Sequence, residues 1–406
     1  METEKRSGFS SSFGFLMASV GAAVGLGNIW GFPYRLGKGG GFIFIALYLL
    51  FVITVGIPLM LAELKIGKSS RCSCLGAYRR FGSCFGTVGI IGIIACFIVL
   101  CYYFFFGGLI MREIARLAGV KIESELFWHL SFAFITLLIV LGGISDGIEK
   151  CSRVMVPLLI ASLGILAVIT LQMPGAHDAL DFLFRPDATK FNAETVKSAL
   201  GQALFSLSLG QGIMVTYASY ADARTPLMRQ AVLIPLLDTA AAILAALAIM
   251  PAAFSTGVSP ETGPALLFSV MPRIFGSLKY GPFFSLLFFV PVFFAAMTSA
   301  VSMLETPVAA LCEETRLKRA PASLIITAAA AVGGIPLCID IRYYELYESL
   351  SEKVFIMICA FMTCLLISWK RKNSPSGLAP EGRSERLFMF MLKYVTPAIL
   401  VASALF

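Results

Sequence analysis

The stretch GAAVGLGNIWGFP, residues 21–33, decides how this chain folds. It lies inside an apolar run that starts near Ser12 and would otherwise read as one helix. It gathers Gly21, Gly25, Gly27, Gly31 and Pro33. Against alanine, glycine costs a helix about 1 kcal/mol and proline about 3 kcal/mol. A second interruption, FSLSLGQG at 205–212, sets Ser206, Ser208, Gly210 and Gly212 in the middle of another apolar run. In a membrane, a broken backbone is tolerated only where it is buried in protein or lines a cavity. Freed carbonyls then hold cations, and half-helix amino ends face anions. The other reading is close helix packing, since Gly21 with Gly25 and Gly27 with Gly31 fit a small-xxx-small interface. Asn28, Ser206 and Ser208 favour a site, because polar groups facing lipid are costly.

The rest of the chain supports a membrane setting. Of its 406 residues, 58% are hydrophobic and 14% charged, with mean hydropathy +0.85. Soluble domains carry about 25% charge, so a soluble multi-domain enzyme is excluded. Eleven apolar runs stand out: about 12–36, 41–66, 86–112, 127–143, 150–172, 196–220, 227–252, 281–312, 320–339, 345–369 and 387–405. Such lengths suit spanning helices, and no period-2 alternation argues for a barrel. The fold class read here is an all-α integral membrane protein with eleven transmembrane helices in one domain, residues 1–406. The interruptions fall in runs one and six. Breaks in matching positions of two halves point to a transporter built from a 5+5 inverted repeat, with its site near the midplane. The halves are 12–172 and 196–369, and 387–405 is an added eleventh helix.

Lys and Arg place the N-terminus in the cytoplasm and the C-terminus outside. The formal charge of +8 is therefore a topology signal, and nucleic acid is not expected as a partner. The ten cysteines lie in apolar runs or predicted cytosolic loops and form no disulfide framework. His129 and His177 are the only histidines, too few for a His-rich metal centre. The polar stretch 1–12 does not read as a cleavable signal peptide. Connections 173–195 and 253–280 are read as outside loops, either covering an entrance or merely lying on the surface. Stretch 371–386 is read as a flexible cytosolic linker. In run eight, Thr298 and Ser299 either offer hydroxyl ligands to Na⁺ or bond back to their own helix. Ser206 and Ser208 have no histidine nearby and no HExxH motif occurs, so no enzyme is expected.

Residues 21–33 resemble the first-helix signature of the neurotransmitter:sodium symporters, and residues 205–220 look like their sixth helix. The resemblance runs from about residue 8 to the C-terminus. It implies an inner-membrane symporter that moves a neutral amino acid into the cell with sodium, by alternating access; the pocket as assigned makes that amino acid hydrophobic or aromatic. Two sodium ions are implied. The first site resembles Ala23, Asn28, Ser206 and Asp238; the second, Gly21, Val24, Ala295, Thr298 and Ser299. The substrate would meet Leu26, Gly27 and Tyr103 through its carboxylate. Its amino group would meet Ala23, Phe205, Ser206 and Ser208. Val99, Phe205, Gln211, Ser299 and Met303 would complete the pocket. Tyr103 and Phe205 would form a thin outer gate. Gly147 and Pro157 match a spacing at which relatives unwind the fifth helix to open a path inward. The partners implied are amino acid, sodium and membrane lipid, with a monomer or weak homodimer. The alternative is a sodium-dependent amino-acid sensor or channel on the same scaffold.

Three departures matter. Gly31 stands where many relatives carry a gate arginine; Glu348 is the acid by counting back from Trp369, its usual partner is missing, and Arg35, about one turn on from Gly31, is a candidate substitute. Asp238 stands where many relatives carry asparagine. Its charge either replaces the chloride that animal members require, so that chloride is not required, or is simply paired. Gln211 replaces a usual hydrophobic residue and reads a polar group on the substrate or solvates the vestibule.

Overall fold

The structure is a computed structural model that describes residues 8–257, 271–272, 280–369 and 382–405. Lys5, Arg6, most of the expected loop 253–280 and most of the linker 371–386 lie outside the described residues. Among the described residues the chain is helical, with no strand. The elements are α1 (Ser12–Ala23), α2 (Gly27–Lys38), α3 (Phe42–Ser70), α4 (Cys74–Arg79), α5 (Ser83–Leu117), α6 (Glu125–Leu141), α7 (Ile144–Thr170) and α8 (Ala176–Phe184). They continue as α9 (Ala193–Ser206), α10 (Ile213–Ser219), α11 (Leu227–Thr256), α12 (Gly281–Thr315), α13 (Arg319–Ile339), α14 (Tyr343–Trp369) and α15 (Arg383–Ser403).

Among the described residues, eight helices are long and apolar enough to cross a membrane, and the pair α1–α2, bent by 50°, makes nine. The expected run 127–143 is the 17-residue helix α6, and the expected run 196–220 is the broken pair α9–α10. Polar caps set several starts. The Ser11 hydroxyl accepts the Gly14 amide at 2.9 Å ahead of α1. The Asn192 carboxamide accepts the Thr195 amide at 2.9 Å ahead of α9. The stretch 173–195, read from sequence as an outside loop either covering an entrance or lying on the surface, contains α8. Its Ala176, Ala179 and Leu183 recur on one face and are buried, which is how a short amphipathic helix docks.

The bundle closes around the two breaks. α1 is wedged among α7, α11 and α12; α12 also packs along α5, and α10 packs on α3. Phe15, Tyr48, Phe104, Phe132 and Tyr217 are fully buried, while Phe134, Val168, Leu236 and Val332 point outward, as a lipid-facing surface requires. A buried ion pair, Lys65 Nζ to Glu385 Oε2 at 2.6 Å, ties α3 to α15. The Thr396 hydroxyl adds a bond to the Thr54 carbonyl at 2.9 Å. Removing one partner of such a pair costs about 3–5 kcal/mol. Lys65→Ala should therefore lower the unfolding temperature in detergent clearly. An unchanged melting curve would show that α15 is held by packing alone.

Candidate functional site

The site is made by two interruptions that face each other. Residues 24–26 separate α1 from α2, and residues 207–212 separate α9 from α10. In the second gap Ser208, Gly210 and Gly212 have φ of 53°, 71° and 72°. That left-handed region is open to glycine and costs other residues about 1–2 kcal/mol. Ser208 is held there by its hydroxyl, which donates across the gap to the Ala22 carbonyl at 2.8 Å. Gly25 is a close approach, since a Cβ there would lie 2.6 Å from Ser299 Oγ and 2.7 Å from Tyr103 Oη.

Three clusters of polar groups meet at the gaps. In the first, Asn28 Nδ2 donates to Ser206 Oγ at 2.9 Å and to Asp238 Oδ1 at 2.8 Å. Ser206 Oγ donates to Asp238 Oδ2 at 2.7 Å, and Tyr48 Oη donates to the same oxygen at 3.2 Å. Asn28 Oδ1 accepts the Gly25 amide at 2.9 Å. Asn28, Tyr48 and Asp238 are all fully buried. In the second cluster, the Ser299 hydroxyl lies 3.2 Å from the Gly21 carbonyl and 3.4 Å from that of Val24. Thr298 Oγ1 bonds back to the Phe294 and Ala295 carbonyls at 2.9 and 3.3 Å. Its Cβ nonetheless faces Gly21, 3.0 Å from where a Cβ would stand. The second set is all oxygen, which suits a hard cation; in the first, Asn28 turns Nδ2 toward Ser206 and Asp238, and its carboxamide must rotate before Oδ1 joins their oxygens. In the third, the Tyr103 hydroxyl faces the Leu26 and Gly27 amides and Ser299, and Phe205 lies against Gly27. Ala23 ends α1 at the break. Val99 and Met303 are buried nearby on α5 and α12, where Cys96 Sγ meets the Met303 carbonyl at 3.4 Å.

Outside these clusters a narrow cleft is lined by Tyr103, Phe205, Trp30, Tyr34 and Tyr344. Arg35 closes it. Its Nη2 meets Glu352 at 2.6 Å and Glu348 at 3.2 Å, while Nη1 donates to Gln202 at 2.7 Å. Gln202 Nε2 in turn donates to the Gly27 carbonyl at 2.9 Å. The sequence pointed to Arg35 and Glu348, and both are present; the nearer acid, Glu352, lies one turn further along α14.

On the opposite side residues 9–11 are pinned. Glu149, 1% exposed, accepts the Ser10 amide and hydroxyl at 2.7 Å each and pairs with Arg153 at 2.5 Å. Phe9 N donates to the Tyr220 carbonyl at 3.1 Å, and Tyr220 Oη donates to Glu305 at 2.8 Å, which pairs with Arg319. Gly147 sits in wide turns spanning Ile144–Glu149, and Pro157 lies inside the continuous helix Lys150–Thr170. The segment between them is therefore wound in this structure. Glu149→Gln should loosen the latch and speed hydrogen exchange of residues 8–23 at least tenfold; unchanged exchange would remove that role from Glu149.

Sequence reasoning missed Tyr48, Gln202, Glu352, Glu149 and Glu63. Glu63 Oε1 accepts the Gly210 amide at 2.7 Å and so props the second gap. Its signal was a lone acid inside an apolar run.

A family model described as the sodium:neurotransmitter symporter family matches residues 6–111 and 105–406. The sodium-dependent transporter YhdH of Bacillus subtilis (strain 168) is 36% identical over 361 residues, covering 84% of this chain and 80% of the relative. A sodium-dependent transporter of Haemophilus influenzae is 26% identical and covers 98% of this chain and 97% of its own length. Among solved structures, MhsT in complex with L-phenylalanine superposes with a TM-score of 0.92 at 31% identity, covering 99% of both chains.

Proposed function

Because the chain belongs to the sodium:neurotransmitter symporter family, we propose that it imports a neutral amino acid with sodium by alternating access. It is a multi-pass membrane transporter rather than an enzyme. The observation that carries the reading is the Asn28–Ser206–Asp238 cluster, which joins both helix breaks to α11. A cation held there sits against whatever anion occupies the Leu26 and Gly27 amides. Ion and substrate then support each other's binding. Ser299, Thr298 and the carbonyls of Gly21, Val24 and Ala295 form the second ion's place, with Ala23 completing the first. Ser208, Phe205, Val99 and Met303 enclose the substrate, and their largely apolar character supports a hydrophobic or aromatic amino acid; the MhsT complex holds L-phenylalanine. Asp238 supplies the negative charge that makes chloride unnecessary. We place the chain in the inner membrane with eleven crossings, counting α6 and the α9–α10 pair, its N-terminus inside and its C-terminus outside.

Two sodium ions suffice energetically. One charge crossing 100 mV yields about 2.3 kcal/mol and a tenfold gradient about 1.4 kcal/mol. Two ions then supply about 7.4 kcal/mol, or roughly 10⁵-fold accumulation at full coupling. The test is uptake of radiolabelled amino acids into proteoliposomes under an inward Na⁺ gradient, with choline as control. Accumulation that needs the gradient and disappears in Asn28→Ala supports the reading. Sodium-dependent binding without accumulation would favour a sensor instead.

A further inference from the structure

α14 ends at Trp369 and α15 begins at Arg383, so the two helices meet at one end of the bundle, where they pack against each other. An ammonium sits in the groove between them. Lys393 Nζ lies 5.1 Å from the centroid of the Trp369 ring and 5.0 Å from that of Tyr394. Trp369, Phe390 and Tyr394 are all exposed, so in a multi-pass membrane protein this flank faces lipid. A cation at such a place is costly unless it is paired or reaches the interface. Among the described residues no carboxylate pairs with Lys393 or Arg386; the only acid of α15, Glu385, turns inward to Lys65 Nζ at 2.6 Å. The two rings attract the ammonium through their faces, but they leave its N–H donors without an oxygen acceptor.

The counter-charge therefore comes from outside the chain. Arg386 is exposed and stands seven positions before Lys393, two turns or about 10 Å along the helix. Two long side chains reaching toward each other span that distance and meet on one anion. A free ion would satisfy the charges but leave the apolar flank bare. A zwitterionic lipid would bring its own ammonium against them. We propose that the groove between the end of α14 and α15 binds an anionic phospholipid. Its phosphate bridges Lys393 and Arg386, Trp369 and Tyr394 lie at headgroup level as interfacial aromatics do, and its chains run along α15 toward the exposed Val401. Clustered basic residues beside a spanning helix recognise such headgroups. The assignment needs only the membrane placement of the bundle, so it stands or falls apart from sodium-coupled import.

Tryptophan fluorescence gives a local readout. Trp369 is 63% exposed, whereas Trp30 and Trp128 are buried, so bromine on acyl chains quenches Trp369 first. The full chain is reconstituted in phosphatidylcholine vesicles in which the same small share of lipid is brominated, either as phosphatidylcholine or as phosphatidylglycerol. In the wild type brominated phosphatidylglycerol should quench at least threefold more. In Lys393→Gln with Arg386→Gln that preference should fall below 1.5-fold. Lys121→Gln with Lys197→Gln removes as much charge from exposed positions elsewhere and should keep it. Equal quenching by the two lipids in the wild type overturns the assignment, as does a preference that the Lys393 and Arg386 variant retains. Inorganic phosphate that abolishes the preference at matched ionic strength also overturns it, by giving the charges to a free ion. If the double variant does not fold, the wild-type comparison decides alone.

Discussion

Asp238→Asn should make uptake depend on chloride. In chloride-free medium sodium-driven accumulation is expected to fall at least a hundredfold, and added chloride should restore a measurable part of it. Asp238 is fully buried and accepts from Asn28, Ser206 and Tyr48. A carboxylate is the right acceptor for three converging donors, and its charge stands beside the proposed cation. At about 4 Å and an effective dielectric of about 20, that attraction is worth roughly 4 kcal/mol, or about a thousandfold in affinity. Asparagine keeps the volume, removes the charge and turns one acceptor oxygen into a donor. A mobile anion could restore the charge but not the covalent placement, so rescue should be partial. Full uptake by the variant without chloride would show that Asp238 is only a paired structural acid.

The second large effect is expected at Arg35. Its guanidinium is the cation that meets both Glu348 and Glu352, and it also holds Gln202. Removing one partner of a buried charged group leaves the other uncompensated, at about 3–5 kcal/mol. Arg35→Met should thus cost at least a hundredfold in concentrative uptake, because the outer closure no longer forms. Sodium-dependent binding should persist, with faster substrate release. Adding Glu352→Met to Arg35→Met should recover part of the loss, since it removes the more buried of the two stranded carboxylates. Uptake within threefold of wild type in the single variant would mean that the cleft closes by its aromatic residues alone.

Much of this architecture was legible because membrane helices announce themselves by length and composition. The breaks were legible too, since glycine, proline and serine are out of place in the middle of an apolar run. What stayed hidden was pairing across long sequence distances. Glu352 and Glu348 share one helix face, four positions apart, and nothing in the sequence says which of them an arginine more than three hundred residues earlier will reach. Glu63 meets Gly210 and Glu149 meets Ser10 for the same reason, through packing rather than periodicity. α8 escaped notice because a nine-residue amphipathic helix is too short to register against spans of about twenty residues. Thr298 left two readings open, and its hydroxyl is bonded to its own helix while its Cβ still faces the break.

The thiol of Cys96 rests against the Met303 carbonyl and is fully buried, whereas Cys84, far from the site along α5, is exposed. The protein therefore carries a native chemical clock. An alkylating reagent should consume Cys84 at once and reach Cys96 only when water has a path to the inner face of α5. The ratio of the two rates measures how often that path exists, and its change with sodium reports the ion's hold on the closed form without any label being introduced.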